Sequence, residues 1–296
     1  MYRSSALVLL CVLAIIPPAR AAEREKIPGL EYTRQADVIY GRKHGVALTM
    51  DVLFPTKQNG AAIIYAVSSG FNSHHQWIEG TRFARNMSML LDREYTVFLV
   101  VHGSTPKFTI RENYADIRRS IRFIRYNAKS YGIDPNRIGM SGASAGGVIS
   151  LMMAAAAQEG NPKARDPIDR ESTRLQAVAC FYPASDLINF QKEGENVLKI
   201  AAANRHLGSY QFRDHDPKTN SYKLITDTKR IQQLLADNSP ITHVSAGDTP
   251  TLIVHGEKDR LVPLLQASKM VDALKAVGVE SELVVAKGKG HSWRDQ

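Results

Sequence analysis

Cysteine is nearly absent from this chain, with Cys11 and Cys180 the only two in 296 residues. Cys11 lies in an N-terminal apolar run, so once that run is removed a single thiol remains and no intrachain disulfide can form. Cys180 sits in an apolar stretch and is expected to be a buried, unreactive thiol. Metal-ligand spacing is missing as well. His74, His75 and His102 have no Cys, Asp or Glu at matching spacing, so they are expected to line a cleft rather than hold an ion. Past the N-terminal run no stretch is long and apolar enough to span a bilayer, and no repeat or low-complexity tract occurs. These absences argue against a disulfide scaffold, a metal centre, a multi-span membrane protein and a repeat array.

Acidic residues are also in the minority: Lys and Arg number 38 against 29 Asp and Glu, a formal charge of +9. Much of the excess falls on one predicted helix, at Arg118, Arg119, Arg122, Arg125 and Lys129. On that helix Ile117, Ile121, Ile124 and Ala128 recur at helical spacing and form the buried stripe. The cations therefore read as its solvated face. Without a nucleic-acid motif, they give no reason to expect a nucleic-acid partner.

The first residues read as a leader. Arg3 precedes an apolar run over 6–16, Pro17-Pro18 ends it, and Ala19-Arg20-Ala21 is a small-x-small cleavage pattern. Residues 1–21 are thus expected to be a secretory signal peptide and 22–296 the mature domain, secreted or periplasmic, with no stable membrane insertion after cleavage. That length suits one large α/β domain.

Strand-like runs cover 32–40, 46–54, 61–67, 96–101, 175–181, 251–255 and 281–286, with one more leading into Ser144. Between them lie helix-like segments at 77–91, 110–131, 148–157 and 263–277. Such alternation, led by an antiparallel pair, predicts a mostly parallel sheet with helices on both faces. One polar stretch, 185–238, is too long for a connection; it carries helical segments near 197–206 and 227–235 and is expected to form a lid.

Chemistry centres on Gly142-Ala143-Ser144-Ala145-Gly146, the G-x-S-x-G pattern of a sharp strand-to-helix turn. A serine hydroxyl needs a base, and the base needs an orienting group. Asp259, in the loop after the 251–255 strand, is the favoured acid, with Glu257 its competitor. His291, in a Gly-rich loop after the last strand, is the base, whereas His255 at a buried strand end reads as structural. The oxyanion donors are expected to be the N–H groups of Ala145 and Phe71, with Gly70 allowing close backbone approach.

Taken together, these residues resemble the α/β-hydrolase superfamily over essentially the whole mature chain. The run Asp37-Val38-Ile39-Tyr40-Gly41, the run Leu48-Thr49-Met50-Asp51-Val52, Ser144, His255-Gly256-Glu257-Lys258-Asp259 and Gly290-His291 look like secreted esterases. The resemblance is to the feruloyl/acetyl-xylan-esterase and prolyl-oligopeptidase-like kind. It implies an eight-stranded sheet and a Ser144–His291–Asp259 triad working without a cofactor on a small-molecule or polysaccharide-linked ester, with peptide cleavage by the same triad as the alternative. A non-catalytic binding module on the same fold is a further alternative. Two departures stand out. Many relatives carry His-Gly-Gly-Gly where this chain has Ser69-Gly70-Phe71, and they continue into a helix after the histidine where this chain stops at Gln296.

Overall fold

The computed structural model describes residues 24–27, 29–79 and 81–293, so the leader expected over 1–21 lies outside the described residues. In chain order the strands are β1 Glu25–Lys26, β2 Thr33–Lys43, β3 Val46–Phe54, β4 Ala62–Val67, β5 Thr96–Val101, β6 Ile138–Ala143, β7 Val178–Phe181, β8 Arg213–Asp216, β9 Ser221–Leu224, β10 Thr251–Gly256 and β11 Ser281–Ala286. The helices are α1 Thr81–Asn86, α2 Ser88–Leu91, α3 Ile110–Tyr126, α4 Ala128–Tyr131, α5 Ala145–Ala155, α6 Leu198–Ala203, α7 Thr228–Asp237 and α8 Leu264–Ala276.

Nine strands form the main sheet in the order β1-β2-β3-β5-β4-β6-β7-β10-β11. Eight are the expected ones, and the two-residue β1 adds a ninth at the edge. Antiparallel pairing joins β1, β2, β3 and β5, and from β5 to β11 every neighbour is parallel. Strand periodicity sends alternate side chains to two separate cores. Phe98 and Val100 of β5 join one core with α3, α5 and α8, while Val97, Leu99 and Val101 join the other beneath α1 and α2. All six residues of β5 are buried, as befits a central strand covered on both faces. Cys180 is fully buried in β7, and burial pushes its thiol far above the usual range.

Three expectations need correction. The helix predicted over 77–91 is in pieces, a 3-10 turn at His75–Trp77 followed by α1 and α2, which meet at Met87 (φ −93°, ψ 0°). The helix predicted over 110–131 breaks at Asn127, whose side-chain amide donates to the Phe123 carbonyl (2.8 Å) and separates α3 from α4. The arginines of α3 are not a free solvated face. Half-buried, Arg122 and Arg125 donate to the Glu171 and Ser172 carbonyls (3.0 and 2.9 Å), and Arg119 pairs with Asp166 and Asp169. They fasten the long α5–β7 connection to the helix, and much of the cationic excess is spent on architecture.

The 185–238 segment holds the two expected helices, α6 and α7. It also holds an unpredicted hairpin, β8–β9, whose strands are almost wholly exposed.

Candidate active site

Ser144 stands at φ 53°, ψ −118°, a region L-residues rarely occupy, between the last residue of β6 and the first of α5. Such strain persists only when the surroundings over-determine it. Here the packing is close enough to do so. A Cβ on Gly142 would lie 2.4 Å from the Gly146 carbonyl oxygen, and one on Gly146 would lie 2.5 Å from the Ala66 carbonyl oxygen. The Ser144 N–H donates to the Phe181 carbonyl of β7 (2.9 Å), which fixes the apex against the neighbouring strand. Every residue of α5 is buried, so the turn is anchored on its helical side too.

Two strands further on, β10 delivers Asp259, and after β11 comes His291. The imidazole bridges the other two residues. Its Nδ1 lies 2.7 Å from Asp259 Oδ2 and its Nε2 lies 3.0 Å from Ser144 Oγ. An ionised carboxylate can only accept, so the neutral ring carries its proton on Nδ1 and turns the Nε2 lone pair towards the hydroxyl.

Asp259 is equipped to stay charged. Burial alone would raise its pKa, but hydrogen bonds from His255 and His291 and the backbone N–H of Val262 (2.9 Å) outweigh it. They hold the carboxyl well below the usual carboxylate range. His255, fully buried, lies 2.9 Å from the Val262 carbonyl and 3.3 Å from Asp259 Oδ2. Its structural reading stands, with the acid loop as the thing it supports. Glu257, the competing acid, points away and accepts from the Gly288 N–H (2.8 Å) on the histidine loop.

Tyr182 was not singled out from sequence. Its ring meets His291 edge-on with centroids 4.7 Å apart and Trp293 at 5.2 Å. Its place just past the end of β7 was the available signal, since ligand and catalytic groups gather at the carboxyl ends of strands in open α/β sheets.

A cavity of about 500 Å³ opens over Ser144 and His291, and Gly70, Phe71 and Ala145 all line it. Phe190, Val197, Ile200 and Tyr210 of the 185–238 segment form another part of its wall. Gly70 and Phe71, at φ 55° and 63°, are the central residues of a tight turn closed by Ser69 and Asn72, whose backbones exchange hydrogen bonds of 2.9 and 3.0 Å. Positive φ at both central positions marks a turn of the I′ kind, whose central N–H groups take no part in its closing bonds. The histidines expected in the cleft are elsewhere. Trp77 lines the cavity, but His74 meets Trp77 edge-on, His75 sits beside Thr49 and Asp51, and His102 is buried against the Gly103 carbonyl. Among the described residues no group of His, Cys, Asp and Glu is arranged to hold a metal ion.

The BD-FAE family model matches residues 50–274. The chain is 25% identical over 253 residues to the probable carboxylic ester hydrolase LipM of Mycobacterium tuberculosis, covering 83% of this chain and 53% of LipM. To the isoprenylcysteine alpha-carbonyl methylesterase ICME of Arabidopsis thaliana it is 24% identical over 251 residues, covering 82% and 54%. The chain thus spans about half the length of these relatives. Among solved structures, the acetyl ester-xyloside bifunctional hydrolase of Caldicellulosiruptor lactoaceticus superposes with a TM-score of 0.68 at 23% identity, covering 87% of each chain, and it shares the α/β-hydrolase fold.

Proposed function

This chain belongs to the BD-FAE family, and we propose that it hydrolyses carboxylic esters through an acyl-enzyme on Ser144. The observation that carries the reading is the unbroken contact from Asp259 through His291 to Ser144 at the mouth of one cavity. His291 Nε2 takes the hydroxyl proton as Ser144 Oγ attacks the ester carbonyl. The resulting imidazolium, held by Asp259, returns that proton to the leaving alcohol, and a water then repeats the cycle to release the acid. The N–H groups of Phe71 and Ala145 receive the developing oxyanion, with Gly70 shaping the turn that presents the first of them. This sequence of steps calls on no cofactor.

The 185–238 segment is the lid in this reading, and its apolar contributions to the cavity set which acyl or alcohol group is accepted. The ester is carried by a small molecule or a polysaccharide. The leader over 1–21 places the enzyme outside the cytoplasm, and cleavage of that leader from an expressed full-length chain, read by N-terminal sequencing, tests the placement.

The decisive experiment is hydrolysis of a p-nitrophenyl ester by the wild type and by Ser144→Ala. Loss of the nucleophile costs several orders of magnitude, about 10⁶ in the best-measured serine hydrolases. Wild-type turnover by Ser144→Ala contradicts the assignment. A panel of peptide substrates cleaved faster than esters would move the reading to a peptidase using the same triad, and a Ser144 that no fluorophosphonate labels would move it to a binding module.

A further inference from the structure

The Gly70–Phe71 turn has the wrong residue for its own geometry. Turns with positive φ at both central positions favour Gly, Asn or Asp, and Phe71 holds φ 63° without a local side-chain bond to stabilise it. Something outside the turn must impose the conformation. Part of the support comes from the loop after β5. There Ser104 Oγ accepts from the Ser73 N–H (2.8 Å) and Thr105 Oγ1 donates to Asn72 Oδ1 (2.9 Å). Both contacts act beyond the two strained residues.

The strained residues themselves are gripped from the opposite side, by the 3-10 turn Leu207–Tyr210 and the residue before it. The buried Ser209 hydroxyl donates to the Gly70 carbonyl (3.2 Å). The Tyr210 ring meets Phe71 edge-on, with centroids 5.8 Å apart. The His206 imidazole occupies the space a side chain at Gly70 would need, since a Cβ there would come within 2.2 Å of its ring. His206 Nδ1 is buried without a hydrogen-bond partner among the described residues, and burial pushes the ring's pKa down, so it packs against Gly70 as a neutral group. All three contacts originate in the 185–238 segment, 130 residues or more along the chain from the turn they hold.

We infer that His206, Ser209 and Tyr210 are positioning residues for the reaction: they hold the Gly70–Phe71 turn in the strained conformation that aims the Phe71 N–H at the oxyanion. The lid segment therefore completes the catalytic site as well as walling the cavity. This rests on the serine-hydrolase reading, and its consequence is kinetic. A donor that acts only on the charged intermediate contributes to kcat and leaves KM almost untouched, whereas a residue that merely walls the pocket alters KM in an acyl-dependent way.

The test compares wild type and Ser209→Ala on p-nitrophenyl acetate and p-nitrophenyl butyrate, with binding of a trifluoromethyl ketone as a mimic of the tetrahedral intermediate. Ser209→Ala is expected to lower kcat about tenfold on both esters at unchanged KM. This is a partial loss of what removing an oxyanion donor outright costs, about 10²–10³. Ketone affinity should fall by the same factor, while fluorophosphonate labelling of Ser144 persists. Unchanged kcat and ketone affinity overturn the inference, as does a change confined to KM.

A second pair of variants works even if Ser209→Ala folds poorly. Gly70→Ala collides with the His206 ring and should abolish most activity; adding His206→Ala opens the space and should recover part of it. A double variant no more active than Gly70→Ala contradicts the packing argument. If the wild type itself neither turns over esters nor takes the label, the hydrolase reading fails, and that result is distinct from both of these.

Discussion

Gly256 and Gly290 lie so close that a Cβ on the first would come within 2.4 Å of the carbonyl oxygen of the second. One ends β10, which leads to Asp259, and the other immediately precedes His291. Their approach presses the acid loop against the histidine loop. The Lys258 N–H then donates to the Lys289 carbonyl (2.8 Å) and the Glu257 N–H to the Ala286 carbonyl (3.0 Å). The 2.7 Å contact between Asp259 and His291 is therefore a product of backbone packing as much as of the two side chains.

Gly256→Ala is expected to push the histidine loop away and lower kcat about 100-fold, the scale on which a displacement near 1 Å acts. Steady-state kinetics with the thermal midpoint measured alongside checks this. A variant with wild-type kcat would show that the loops accommodate the methyl group.

The two candidate acids should separate cleanly. Asp259→Asn leaves the geometry but favours the wrong imidazole tautomer, for which a loss of about 10⁴ in kcat is the reference in serine proteases. Glu257→Gln keeps an acceptor for the Gly288 N–H and should change kcat less than about threefold, because its role is to brace a loop. Equal losses in the two variants would reverse the assignment.

How much of this was legible without coordinates differs from residue to residue. Ser144, Asp259 and His291 each follow their own strand, so the order of strands and helices was enough to place all three on one sheet edge. The choice between Asp259 and Glu257 was not decided by strand order, since both sit in the same loop; in the structure it is Asp259 that meets His291, while Glu257 meets the Gly288 N–H. The β8–β9 hairpin gave no signal because its strands bury almost nothing, and without a buried face there is no period to detect. The Gly70–Phe71 turn was recognised only through its glycine. Its conformation is imposed by Ser209 and Tyr210 from far along the chain, and local propensity carries no trace of that.

His102 makes stability depend on pH. Burial is the main cause that pushes its pKa down to about 4 in the folded chain, against about 6.5 for an unperturbed imidazole. The unfolded chain therefore binds a proton first as pH falls. Stability is complete above pH ~6.5 and declines down to pH ~4, by roughly 3 kcal/mol at 1.36 kcal/mol per unit. Urea denaturation from pH 7 to pH 4 should show that loss, and His102→Gln should flatten it. Asp259 titrates lower still: with its folded pKa depressed, its contribution is full above the ordinary carboxylate range and is lost as pH falls through that range and below it. A profile flat to pH 4 in the wild type would contradict the burial of a neutral His102.

Arg34 donates through Nε to the fully buried Asp51 (2.6 Å), on the antiparallel end of the sheet. Arg34→Met leaves a buried carboxylate short of its main partner and is expected to cost about 3–5 kcal/mol in denaturant unfolding. The site lies elsewhere on the sheet, so kcat at a temperature where the variant is folded should stay near wild type. A loss below 1 kcal/mol would show the charge to be satisfied by its other neighbours.

The most direct test is to catch the covalent intermediate. Mixing the protein with p-nitrophenyl acetate, quenching in acid within milliseconds and mapping the mass shift by peptide fragmentation should place one acetyl group on Ser144. Asp259→Asn should carry the same adduct, formed more slowly. Acetylation at another residue, or rapid turnover with no adduct and no burst of p-nitrophenol, would contradict nucleophilic catalysis by Ser144.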